Sequence, residues 1–244
     1  MKQASPERTK ISSPRFVVPA YFRPDVLPED WETMVNQVHK VRSVILNPAS
    51  GPGSEPDPVF YLPLAKLHRA GVTVLGYVDT GYGQRPIQQA LADFGLFLRW
   101  YGVTGVCFDR VSVSAEDLDH YAALSRIARE MGAGTVLFNH GAHPLAAYAE
   151  HADLLGTFEG SYRAYLQLSV PRWTRTRPAE QFYHVVHSVP REHLADAFLL
   201  AVGRRAGCTY VTDRAGPNPY DCLPAGVFEY DMSERPLPRR QIRP

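Results

Sequence analysis

The chain of 244 residues sets 26 Lys and Arg against 25 Asp and Glu, a formal charge of +1. That balance supplies no one-signed field, so nucleic acid and anionic membrane surfaces are excluded as expected partners. Hydrophobic residues at 45% and charged residues at 21% are the values of a soluble folded domain, and no run approaches the ~20 apolar residues of a membrane span.

At the N-terminus, Lys2, Arg8, Lys10 and Arg15 precede no apolar stretch with a small-residue cleavage site. No secretory signal is read, and a cytoplasmic location is the expectation. Residues 1–15 are expected to form a mobile segment, 16–234 the folded domain, and the Pro- and Arg-rich 235–244 a tail. Cys107, Cys208 and Cys222 are odd in number and widely spaced, which argues against a disulfide framework or a structural zinc site. No metal-ligand spacing is present and no cofactor is required.

Short β-branched runs alternate with stretches of helical period. The expected strands are 16–21, 43–47, 73–78, 105–109, 135–139, 154–159, 183–188 and 208–213. Between them, Ile87, Ala90, Leu91, Phe94 and Leu98 make one apolar stripe. Leu118, Tyr121, Leu124, Ala128 and Met131 make a second, and Leu194, Ala197, Phe198 and Ala201 a third. Ser114 with Asp117 reads as a capping box opening the second helix. Gly71, Gly132 and Gly207 read as left-handed caps between helix and strand. Eight βα units in a chain of this length predict an α/β fold, a single (β/α)8 TIM-type barrel.

Strand ends of such a barrel converge on one rim, where the chemistry sits. Here they carry Tyr21, Asn47, Tyr77, Asp79, Asp109, Arg110, Asn139, Glu159, His187 and Asp213. Asp109, Glu159, Asp79 and His187 are the catalytic candidates, because carboxylates and imidazole move protons near neutral pH. Tyr21, Asn47, Tyr77, Arg110, Asn139 and Asp213 are the substrate-binding candidates. The alternative is that polar strand ends only cap the following loops. The glycine clusters 47–53 and 81–83 lack the G-x-G-x-x-G and Walker patterns, so rim-shaping turns are expected in place of a phosphate cradle. His184 and His187 lie on opposite faces of one strand, which makes His184 structural and lets His187 reach the rim.

The runs Val18-Pro19-Ala20-Tyr21, Ile45 to Gly53, Val74 to Arg85, Gly105 to Asp109 and Asn218 to Pro224 resemble spherulation-specific family 4, in order and spacing, from about Phe16 to Pro224. The resemblance implies a (β/α)8 barrel related to glycoside hydrolases that cut galactosamine-containing exopolysaccharides. It further implies an Asp-Glu pair ending the fourth strand and a Glu ending the sixth. Asp109 and Glu159 match the first and last, and Arg110 stands where the pattern has Glu. An Arg beside two carboxyls favours their ionised forms and so opposes a general-acid role.

Three readings follow, for a glycan or small-molecule substrate. One is glycoside hydrolysis by Asp109 and Glu159, with Asp79 or His187 in support. Another is a repurposed intracellular biosynthetic enzyme carrying out cyclisation, elimination or isomerisation, with Arg110 clamping an anion. The last is a sugar-binding pseudoenzyme with Tyr21, Tyr77, Tyr82 and Trp173 as stacking platforms. Arg110 paired outward with Glu116, Asn218 to Asp221 as a simple turn, and 163–177 as a solvated connection or a lid complete the expectations.

Overall fold

The computed structural model describes residues 14–224 and 226–228. Eight parallel strands close into a barrel in chain order: β1 (Arg15–Ala20), β2 (Val41–Leu46), β3 (Thr73–Asp79), β4 (Gly105–Asp109), β5 (Thr135–Asn139), β6 (Leu154–Ser161), β7 (Phe182–His187) and β8 (Cys208–Val211). β1 pairs with β8 through Arg15 and Phe16, sealing the cylinder. The strands read as near-continuous apolar runs because a parallel sheet wrapped by helices is buried on both faces. The expected mobile 1–15 includes a buried Pro14 and overlaps β1 at Arg15, while residues 1–13 and the 235–244 tail lie outside the described residues.

The outer layer is built from α1 (Pro28–Asn36), α2 (Tyr61–Arg69), α3 (Ile87–Tyr101), α4 (Leu118–Glu130), α5 (Tyr162–Leu166) and α6 (Leu194–Gly203). α3 presses Ala90, Phe94, Phe97 and Tyr101 inward, with Ile87, Leu91 and Leu98 flanking. Its buried face is thus rotated from the predicted stripe toward the aromatic positions. α4 buries Tyr121, Leu124 and Ala128, but Met131 lies past its end and is exposed. α6 buries all four predicted positions.

The repeat breaks between β5 and β6, where only a 3-10 turn, Ala146–Glu150, replaces the expected helix. Tyr148 on that turn is fully buried and donates to Ser114 O at 2.6 Å, so one aromatic fills the space a helix would occupy. Ser114 accepts from Glu116 N–H and caps the 3-10 turn Ala115–Asp117 that leads into α4, not α4 itself as expected, and Asp117 lies against Gly83. Gly71 and Gly132 are left-handed. Gly207 is not: Arg205 takes the left-handed position after α6. Gly207 answers a different need, since a Cβ there would lie 2.6 Å from the Ala179–Glu180 backbone. All three cysteines are free, and Cys107 and Cys208 are buried.

Candidate active site

The site begins with an irregularity in β6. Asn139 on β5 pairs with Gly156, and Gly156 with Tyr183, but the next partners are Phe158 with His184 and Glu159 with Val185. One residue is inserted between Gly156 and Phe158. Strict alternation from Gly156 would send Glu159 outward, and the bulge turns it inward. The inserted Thr157 is fully buried, and its Oγ1 lies 3.0 Å from His184 Nε2, while Tyr165 Oη on α5 lies 2.8 Å from His184 Nδ1. His184 is structural, as predicted, and what it holds is the bulge. Burial pushes its pKa down to about 3, so the ring stays neutral.

With Glu159 turned inward, six side chains close a ring at the C-terminal mouth of the barrel. Tyr77 donates to Asp109 Oδ2 at 2.8 Å, and Asn139 Nδ2 donates to Asp109 Oδ1 at 2.8 Å and Glu159 Oε2 at 2.6 Å. Tyr220 donates to Glu159 Oε1 at 2.5 Å. Tyr21 completes the circle edge-on to both tyrosines, 5.7 Å from Tyr77 and 5.5 Å from Tyr220. One amide nitrogen therefore bridges the two carboxylates, and the oxygens it joins lie within about 5.4 Å of each other, the two bonds end to end. Gly156 makes room for that amide: a Cβ there would sit 2.1 Å from Asn139 Oδ1.

Burial, and then the charge of Glu159, raises the pKa of Asp109 above its ordinary value. Burial and the neighbouring carboxylates push the Tyr77 and Tyr220 hydroxyls up as well, so both remain protonated donors. Asp109 and Glu159 line a cleft of about 320 Å³ together with Asn139, Arg110, Tyr82 and the His140–Ala142 backbone turn.

The model of spherulation-specific family 4 matches residues 15–230. The chain belongs to that family. It is 27% identical over 215 residues to Spherulin-4 of Physarum polycephalum, a match covering 82% of this chain and 64% of that protein, so it spans just under two thirds of the length of this curated relative. Among solved structures it is similar to Aspergillus clavatus Sph3 in complex with GalNAc, with a TM-score of 0.76 and 26% identity over 90% of this chain and 96% of that one. A deoxyribose phosphate aldolase from Aeropyrum pernix shares the fold alone, at 16% identity and a TM-score of 0.52 over 81% and 85% of the two chains.

In this member of spherulation-specific family 4, five of the ten predicted site residues meet in the ring: Tyr21, Tyr77, Asp109, Asn139 and Glu159. Asp79 and Arg110 form a separate pair beside it. Arg110 Nη1 donates to Asp79 Oδ2 at 2.8 Å, and the other Asp79 oxygen accepts from Gly81 N–H. Arg110 therefore spends its charge on Asp79, not on Asp109 and Glu159 and not on Glu116. The expectation that it would hold both carboxyls ionised fails at Asp109, whose pKa moves up.

The remaining candidates lie apart. His187 bonds its neighbour Ser188 at 3.0 Å, and burial lowers its pKa. Asn47 accepts from Gly51 N–H at 2.8 Å and shapes its own loop, and Asp213 pairs with Arg191 at 2.8 Å. These three follow the capping and pairing alternative, because short polar side chains at strand ends find the nearest backbone or cation first. Trp173 packs on Phe182 on the β6–β7 connection, which Arg205 ties down through Thr174 O and Arg177 O. That connection is a fastened segment rather than a lid.

Tyr220 is the ring member that sequence reasoning assigned to a turn. The turn is real, since Asn218 Oδ1 accepts from Tyr220 N–H. Its purpose is to carry Tyr220 back over the mouth, held by the bidentate Arg214–Asp221 pair and by Leu223 N–H on Asp30. The available signal was the Asn-Pro-Tyr-Asp run itself, placed just after the last strand.

Proposed function

We infer that the chain is a glycoside hydrolase acting on galactosamine-type glycans, with Asp109 and Glu159 as its carboxyl pair. The observation that carries this reading is the single Asn139 amide held between them. Oxygens no more than about 5.4 Å apart are closer than the roughly 6.5–9.5 Å that an inverting pair needs to hold a water, so the retaining route fits, with one carboxyl as the nucleophile. Asp109, with its pKa raised by burial and by Glu159, suits the proton donor. In the first step Asp109 gives its proton to the glycosidic oxygen as the C–O bond breaks, and Glu159 bonds the anomeric carbon. Water then attacks that carbon, loses a proton to Asp109 and releases Glu159. Asn139 and the two tyrosines hold both carboxyls in place throughout. The similarity to Sph3 in complex with GalNAc supports the sugar class.

Clamping of an anionic substrate by Arg110 is disfavoured by the same geometry. Its guanidinium is already paired with Asp79, and an incoming anion would face Asp109 and Glu159 at close range. The test is release of reducing ends from a GalNAc polymer. Glu159→Gln and Asp109→Asn are each expected to lower turnover by roughly 10³-fold or more with melting temperature near that of the parent. Full activity in either variant removes that residue from the mechanism.

A further inference from the structure

Beside the carboxyl pair the chain holds two strained residues that the hydrolytic ring does not use. Tyr82 and Arg110 are both non-glycine residues in the left-handed region, with φ of 56° and 52°. Ser50, Ser188 and Arg205 share that conformation, so it is the place of these two, at the wall of the cleft, that sets them apart. Here the surroundings are specific. Tyr82 N–H donates to Arg110 O at 2.7 Å, and the buried Thr80 hydroxyl donates to Arg110 O at 2.8 Å and also lies 2.9 Å from Asp109 O. Thr80 is itself 2.8 Å from the Tyr121 hydroxyl on α4. The strained pair is thus anchored to the same strand end that presents Asp109.

The result is an aromatic ring that stays out of the core. Tyr82 is 53% exposed and lines the cleft that contains Asp109 and Glu159. The Arg110 guanidinium lies over the ring, 4.9 Å from its centroid, with its own position set by the ion pair to Asp79. A half-exposed aromatic ring at the wall of a polar cleft offers a flat apolar surface, and the apolar face of a pyranose is its complement.

We propose that Tyr82 is the stacking platform of a second sugar subsite adjoining the carboxyl pair, and that Arg110 is its positioning residue. Arg110 then has a role of its own at the cleft: held by Asp79, its guanidinium clamps the platform ring. The proposal rests on the glycan reading above, but not on turnover.

The experiment is equilibrium binding, by calorimetry or NMR titration, of GalNAc and of a GalNAc trisaccharide. The intact chain should bind the trisaccharide more tightly than the monosaccharide. Tyr82→Asn tolerates the left-handed backbone and lacks the ring. It should lose roughly ten-fold in trisaccharide affinity while GalNAc affinity stays within about two-fold. Tyr82→Phe and Tyr82→Trp should recover the loss, and Arg110→Asn should reproduce part of it with Tyr82 intact. Trisaccharide affinity unchanged in Tyr82→Asn, or lost as fully in Tyr82→Phe, overturns the platform. Ring-dependent binding in a chain that releases no reducing ends upholds the subsite and sinks the hydrolytic reading, whereas failure of the intact chain to bind either sugar overturns both.

Discussion

Gly156→Ala is a small change aimed at the centre of the site. The added Cβ would stand 2.1 Å from Asn139 Oδ1 and 3.1 Å from Asn139 Cα. Restoring an ordinary contact of about 3.5 Å means moving the amide by more than about 1 Å. That shift stretches the 2.8 and 2.6 Å bonds to Asp109 and Glu159 to the edge of hydrogen bonding or past it. Overpacking costs about 1–3 kcal/mol, and weakened bonds to charged carboxyls add about 1–2 kcal/mol. For a chain of this size the melting temperature should fall by roughly 5–15 °C. Turnover should fall by about 10²-fold, the usual penalty for a misplacement of this size. Circular dichroism melts and reducing-end release measure the two effects. The decisive control is the same substitution in an Asn139→Ala background, where the nearest clashing atoms are gone and the added cost should shrink by more than about 1 kcal/mol. An unchanged melting temperature, or an equal loss in both backgrounds, would refute the reasoning.

Tyr220→Phe removes the donor on Glu159 Oε1 and should lower kcat by roughly 10- to 100-fold with little change in fold; a kcat equal to the parent would reduce Tyr220 to a roof over the barrel. Tyr77→Phe removes a hydrogen bond that lowers the pKa of Asp109, so that pKa should climb further and the alkaline limb of the pH–rate profile should move to higher pH; movement to lower pH would assign the limb to another group. His140 and His184 are held neutral by burial, at about 4 and about 3, while in the unfolded chain each takes up a proton near pH 6.5. Their contribution is complete above about pH 6.5 and shrinks as pH falls, by up to about 1.4 kcal/mol per pH unit for each histidine. His143, lowered to about 4 by burial, acts in the same direction, whereas Asp109 and Asp30, both raised by burial, oppose it. Melting temperature followed from pH 7 to pH 4 should therefore decline, and a flat profile would contradict the burial of these rings.

Much of this was legible in residue order. The alternation of β-branched runs with helical stripes specifies a parallel barrel because each strand must be apolar on both faces and each helix on one. Strand ends then pick out Asp109, Asn139, Glu159, Tyr21 and Tyr77, since closure brings every C-terminal end to one rim. The same rule overreached at Asn47, His187 and Asp213, which share the rim but bond Gly51, Ser188 and Arg191. Periodicity also failed between β5 and β6, where a single buried tyrosine stands in for a helix.

What sequence alone determined, then, is the barrel, the family and the two carboxyls. The direction each side chain takes was decided in three dimensions. Glu159 faces inward only because Thr157 bulges, and Thr157 is held by a histidine from the next strand. Arg110 turns to Asp79, a residue on the neighbouring strand, and Tyr220 reaches Glu159 from 61 positions away. Each of these outcomes depends on partners from other strands or from the loop after the last one. Local pattern carries the period of a strand but not which distant group will satisfy its buried donors and charges.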